Sequence, residues 1–305
     1  METRPHSSAR AFIKRHAVVI FYVLIFAVVF GPALILGGPG VFFETRNFVS
    51  PGAKLATSAD MGPFLIVAML SGPPTYALVA VLVVGLTSGK AGLRDLRVRM
   101  FHWRVDIRWY AVALLTAPVL WIGIQGALSL TSGVYVPGII AADDKAGLLV
   151  TGLAAGLVAA FFEEIAWTGF AAHELLKRHG VLATGLVVGG LWCLLHLPFY
   201  GPASSGDLPR ALTLPVNLFA YLLPYRMLMV WVYRHSHSVL IAILMHLPLP
   251  ALSFTLGSAA MAGAPDTIFS VVFGATLWGV VALAFWADHR KKAFGPRIVL
   301  GNGRL

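Results

Sequence analysis

Residues 147–172 read GLLVTGLAAGLVAAFFEEIAWTGFAA. Apart from the adjacent Glu163 and Glu164 the run carries no charge, and as a helix it rises about 39 Å, more than the roughly 30 Å hydrocarbon core of a bilayer. The rest of the chain agrees with lipid as its solvent. With 58% hydrophobic residues, 12% charged residues and a mean hydropathy of +0.81, it lies far outside soluble averages. Apolar segments fall at about 17–36, 62–87, 109–130, 147–172, 181–199, 212–233, 238–256 and 267–287. The predicted fold is therefore all-α: a polytopic transmembrane bundle of about eight spans. The second segment contains Ser71-Gly72-Pro73-Pro74 and is expected to kink or break there.

Charge sets the orientation, because short cytoplasmic loops are enriched in Lys and Arg. Arg4, Arg10, Lys14 and Arg15 precede the first span, and the segment after the second carries Lys90, Arg94, Arg97, Arg99, Arg104 and Arg108. Lys177 and Arg178 follow the fourth, Arg234 the sixth, and Arg290, Lys291 and Lys292 the eighth. The intervening loops hold Glu44, Asp60, Asp143, Asp144, Asp207 and Asp266 with few cations, so both termini are expected in the cytoplasm. The first span reads as a membrane helix and not as a cleaved leader, since no clear small-residue cleavage site follows it. The chain divides into a cytoplasmic N-terminus (1–16), a transmembrane domain (17–290) and a cytoplasmic tail (291–305). The net charge of +10 is explained by these flanking clusters, which excludes a nucleic-acid partner. A single cysteine, Cys193, excludes a disulfide framework and reads as a packing residue.

Ionisable groups within a bilayer cost at least about 2.5 kcal/mol each near its centre, so those that remain there carry information. Only two of the thirteen acidic residues, Glu163 and Glu164, lie deep in an apolar run, and His196 and His246 are the two histidines bracketed by apolar sequence. Adjacent helical residues point about 100° apart, so one glutamate faces the chemistry and the other supports it. A carboxylate that deprotonates water, with imidazoles holding that water or stabilising an oxyanion, would hydrolyse a peptide bond. The same groups could instead ligate Zn²⁺. A lone intramembrane histidine is more often a packing residue that bridges helices. The tandem glutamate argues the other way, because glutamine would serve packing at lower cost.

Other polar and aromatic residues have simpler readings. His235 and His237 read as solvated interfacial residues, and the Trp and Tyr residues near span ends mainly as interface anchors. Arg226 falls inside the sixth span, where it could snorkel, pair with a glutamate or bind a substrate carboxylate.

Three segments resemble the CPBP intramembrane protease family, which includes CAAX prenyl endopeptidases of the Rce1 type. Glu163-Glu164-Ile165-Ala166-Trp167-Thr168-Gly169-Phe170 is similar to its first motif, a Glu-Glu pair followed by three residues, an arginine and a glycine. The stretch from Gly190 through Trp192 to His196-Leu197-Pro198 resembles the second, an aromatic four residues before a histidine, and Ser238 to His246 resembles the approach to the third. The likeness covers roughly residues 70–250 and includes the basic segment Gly92 to Arg97. It implies that Glu163 is the general base on a water held with His196 and that His246 stabilises the oxyanion; Glu164 is expected to be catalytic with these three, and Trp192, Thr168 and Arg226 to support them or the substrate. It also implies membrane lipid and a peptide or protein at or within the membrane as partners. Family members have been described both as metalloproteases and as metal-independent, so a divalent metal such as zinc on Glu163, His196 and His246 is one expectation.

Two positions depart from the pattern: Thr168 stands where an arginine is expected, and Pro250 where an asparagine is. Arg226 is expected to supply the missing cation. The departures also support an alternative, a catalytically silent scaffold or immunity-type member; a proton-coupled transporter is a third reading. Straight spans would set Glu163 and His196 at different depths, a conflict that a long fourth helix projecting beyond the membrane would remove. His196-Leu197-Pro198 and His246-Leu247-Pro248 are expected to end or bend their helices beside a polar cavity.

Overall fold

The computed structural model describes residues 6–37, 72–196, 210–261 and 263–294. The start of the second predicted span, the segment after His196 that includes Leu197-Pro198, and the tail beyond Phe294 lie outside the described residues. Among those described, the regular elements are helices throughout. They are α1 (His6–Arg15), α2 (Ala17–Gly37), α3 (Pro73–Met100), α4 (Ile107–Ser129), the single turn α5 (Gly138–Ala141) and α6 (Lys145–Ala166). A π-helical turn, Trp167–Ala172, joins α6 to α7 (His173–Leu176). There follow α8 (Val181–Leu195), α9 (Arg210–Ser236), α10 (Val239–His246), α11 (Pro248–Leu256) and α12 (Ala264–Phe294).

Six of these stretches are long and apolar enough to cross a membrane, Lys145–Leu176 and Val239–Leu256 among them. Ala17–Pro32 and Val181–Leu195 are shorter apolar helices at the first and fifth predicted spans. The protein is a multi-pass membrane protein. Pro73 and Pro74 do not kink a helix interior: they occupy its first positions, where a missing N–H costs nothing. The basic segment after the second span, read as a loop, is helical to Met100, and the chain turns into it at Gly89, whose φ of 61° lies in the left-handed region. The seventh span breaks after His246, with Pro248 opening α11.

The first half of α6 shows how the bundle packs without a hydrophobic drive between helices. Leu149, Val150, Leu153 and Leu157 are exposed on one side, and Gly152, Gly156 and Ala160 are buried on the other. A Cβ on Gly156 would stand 2.7 Å from the Leu247 carbonyl oxygen, and one on Gly152 would stand 2.6 Å from Thr255 Cγ2. Glycines spaced by four thus bring α11 against α6 at backbone distance. Gly185 and Gly189 do the same for α8 and α9, where a Cβ would meet Met227 and Leu223. This second approach carries Trp192, one turn beyond Gly189, to the level of Arg226 on the deeply buried α9.

Candidate active site

Glu163 and Glu164 lie in the last turn of α6, immediately before the π turn, and are 6% and 0% exposed. Four-residue spacing along a helix places Trp167 under Glu163 and Thr168 under Glu164. Both contacts form: Trp167 Nε1 donates to Glu163 Oε2 at 3.0 Å, and Thr168 Oγ1 donates to Glu164 Oε2. The π turn itself is held from α3, where Arg99 Nη1 donates to the Gly169 carbonyl at 2.9 Å and to Tyr233 Oη at 2.9 Å. π turns of this kind recur at functional sites, and this one carries the donors to both carboxylates.

The two glutamates have different surroundings. Glu164 faces α9 and α10: Arg226 Nη1 donates to both its oxygens, at 2.7 and 2.8 Å, and His246 Nδ1 lies 2.7 Å from Oε1. Beside a guanidinium Glu164 is a carboxylate and can only accept, so Nδ1 of His246 carries the proton of that bond. Glu163 faces α8, and Trp192 Nε1 donates to its Oε2 at 2.8 Å, joining Trp167 on the same oxygen. Among the described residues its other oxygen, Oε1, accepts no hydrogen bond.

Trp192 ties the cluster together. Its indole N–H holds Glu163, and its ring face lies under the Arg226 guanidinium at 4.1 Å. Its edge contacts reach His246 at 5.4 Å and His196 at 4.9 Å between ring centroids. His196, one turn on, sets Nδ1 2.7 Å from the Trp192 carbonyl. A carbonyl only accepts, so Nδ1–H donates and Nε2 is the acceptor nitrogen of the neutral ring. Arg226 is 0% exposed, and its Nε and Nη2 have no hydrogen-bond partner among the described residues. Glu164 and the Trp192 ring are therefore what hold this buried cation.

The structure thus brings Glu163, Glu164, His196, His246, Trp192, Thr168 and Arg226 into one cluster. Lys145–Leu176 runs about 48 Å, longer than the hydrocarbon core, while α8 is about 22 Å long. Of the three readings of Arg226, the ion pair with a glutamate is the observed one. His246 bonds Glu164, not Glu163. Among the described residues no group of three or more His, Cys, Asp or Glu side chains is placed to hold a metal ion.

Sequence reading missed Trp167 as a site residue, although its spacing of four from Glu163 was the available signal. Of the aromatics near span ends, Trp103 and Trp286 are exposed and Trp109 is buried; Trp121, Trp192 and Tyr225, in the middle of their spans, are buried. His235 is also engaged, with Nε2 3.2 Å from Asp288 and Nδ1 2.8 Å from the Trp231 carbonyl. Cys193 is fully buried, as a packing residue should be.

Residues 145–252 match the family model described as Type II CAAX prenyl endopeptidase Rce1-like. The CAAX prenyl protease 2 of Methanococcus maripaludis is 23% identical over 207 residues, 64% of this chain and 74% of that protein. The matched segment runs from the start of α6 into α11 and contains every residue of the cluster described above. The resemblance read from the motifs therefore has an independent match: residues 145–252 of this membrane protein are similar to the Rce1-like CAAX prenyl endopeptidase family.

Proposed function

We propose that this protein is an intramembrane endopeptidase that hydrolyses a peptide bond with a water activated by Glu163. The observation that carries the reading is the unequal treatment of the two glutamates. Glu164 is saturated by Arg226, His246 and Thr168, whereas Glu163 is oriented through one oxygen and presents the other.

In this reading a water donates one proton to Glu163 Oε1 and the other to Nε2 of His196. Glu163 takes its proton as the water oxygen adds to the scissile carbonyl carbon. The carbonyl oxygen becomes an oxyanion, and the Nε2–H of His246 in its imidazolium form donates to it, with Glu164 as countercharge. The intermediate collapses by breaking the carbon–nitrogen bond, and the departing nitrogen receives the proton that Glu163 took. One water is consumed, and a carboxylate and an amine are released. Arg226 supplies the cation that the family motif places at position 168, reaching Glu164 from α9, while Thr168 donates to the same carboxylate. No step passes through a metal.

The test is cleavage of a membrane-peptide library by purified protein in lipid, comparing wild type with Glu163→Gln and His196→Ala, each with and without chelator. Loss in both variants and indifference to chelator are the expected results. A folded wild type that cleaves nothing would replace this reading with the silent-member alternative, which Pro250 favours because it lacks the side-chain donor expected four residues after His246.

A further inference from the structure

A groove of about 510 Å³ runs along the outside of the bundle between the first half of α2, the end of α7 and the middle of α8. One end is basic. Lys14 and Arg15 precede the apolar stretch that starts at Ala17, and Arg178 precedes the one that starts at Val181, so all three cations sit where apolar helices begin. They are exposed, and among the described residues none is in an ion pair. The acid that lines the groove, Glu174, is 2.6 Å from Lys177 and thus already countered. Beyond the cations the walls are apolar: Val19 and Val23 of α2 are 61% and 63% exposed, and Val187 of α8 is 44% exposed. Val23 lies eight residues past Arg15, about 12 Å along the helix axis.

A cationic rim continuous with an apolar channel parallel to the helices fits an amphiphile with an anionic head and a hydrocarbon chain. A soluble anion would leave the channel walls uncovered, and a zwitterionic lipid would bring its own cation toward three others. We propose that this groove is a binding site for an anionic phospholipid, with its phosphate on Lys14, Arg15 and Arg178 and an acyl chain along Val19, Val23 and Val187. The inner wall of the groove is Tyr22, whose ring stacks on Trp167 at 6.1 Å, and Trp167 donates to Glu163. Two aromatic side chains, Tyr22 and Trp167, therefore separate the bound chain from the carboxylate. The proposal concerns binding and is independent of whether the protein cleaves peptides.

Native mass spectrometry of the purified protein with phosphatidylglycerol or phosphatidylcholine provides the test. Wild type is expected to retain phosphatidylglycerol at least tenfold better. Each cation near an anionic head contributes roughly fivefold, so Lys14→Gln, Arg15→Gln and Arg178→Gln together are expected to weaken phosphatidylglycerol by roughly 100-fold and leave phosphatidylcholine unchanged. Val23→Trp, which obstructs the channel while leaving the cations in place, is expected to weaken it as well. A control removing Arg94, Arg97 and Arg104 should change nothing. Equal retention of the two lipids, a wild-type affinity in the triple variant, or an equal loss in the control would overturn the site. Displacement by glycerol phosphate at the same concentration would overturn the amphiphile and leave only an anion site.

Discussion

The two halves of the long helix Lys145–Leu176 are held to the bundle by opposite means. Among the described residues its first half makes no side-chain hydrogen bond to another helix: Gly152 and Gly156 let α11 approach until backbone meets backbone. Its second half, from Glu163 through the π turn, is held by donors from four other helices: Arg99 of α3, Trp192 of α8, Arg226 of α9 and His246 of α10. Lipid explains the division. Dispersion alone holds apolar helices together in hydrocarbon, so contact there requires small residues. A buried carboxylate pair must instead be satisfied by specific partners, and those partners fix the geometry to within a hydrogen bond.

The largest effect should come from separating the two glutamates. Glu163→Gln is expected to lower kcat by about 10²–10⁴-fold with little change in melting temperature, since the glutamine oxygen still accepts from both indoles. A Glu163→Gln enzyme with wild-type turnover would erase the distinction between the two carboxylates. Next is Arg226→Ala, which leaves Glu164 buried without its cation and is expected to cost about 3–5 kcal/mol, read as a lower melting temperature in detergent. Combining Glu164→Gln with Arg226→Met should recover most of that loss, because neither charge is then left alone. If the double variant melts as low as Arg226→Ala, the pair is not what holds α9 to α6.

Thr168→Val removes one donor to a charged group and is expected to cost about 1.5–3 kcal/mol, with turnover falling alongside as Glu164 and His246 lose register. Gly156→Val tests the other half of the helix. Its added carbons meet the Leu247 carbonyl oxygen, and the expected cost is about 1–3 kcal/mol, visible in melting, with kcat of the folded fraction retained. A Gly156→Val protein that melts normally but turns over slowly would mean that the first half positions His246 as well as packing α11.

Much of this protein was legible in order of residues. Apolar length marked the spans, and the cost of charge in lipid singled out Glu163, Glu164, His196 and His246 before any contact was known. The i,i+4 spacing of Thr168 from Glu164 and of Trp167 from Glu163 was there too, although Thr168 was read only as a departure from the family motif and Trp167 not as a site residue. The π turn was not legible, because its extra residue depends on Arg99 arriving from α3 to take the Gly169 carbonyl. Nor were the contacts of Trp192, which the motif marks as the aromatic four residues before His196 but which meets Glu163 and Arg226 only when α8 presses it between them.

The sequence by itself determined which groups would be too costly to leave unpaired in a membrane, since that cost belongs to each residue and its apolar neighbours. Only the tertiary structure decided which partner each would take. It gave His246 and Arg226 to Glu164 and the two indoles to Glu163, because pairing between helices depends on their rotation and depth, and those are set by where glycines allow close approach.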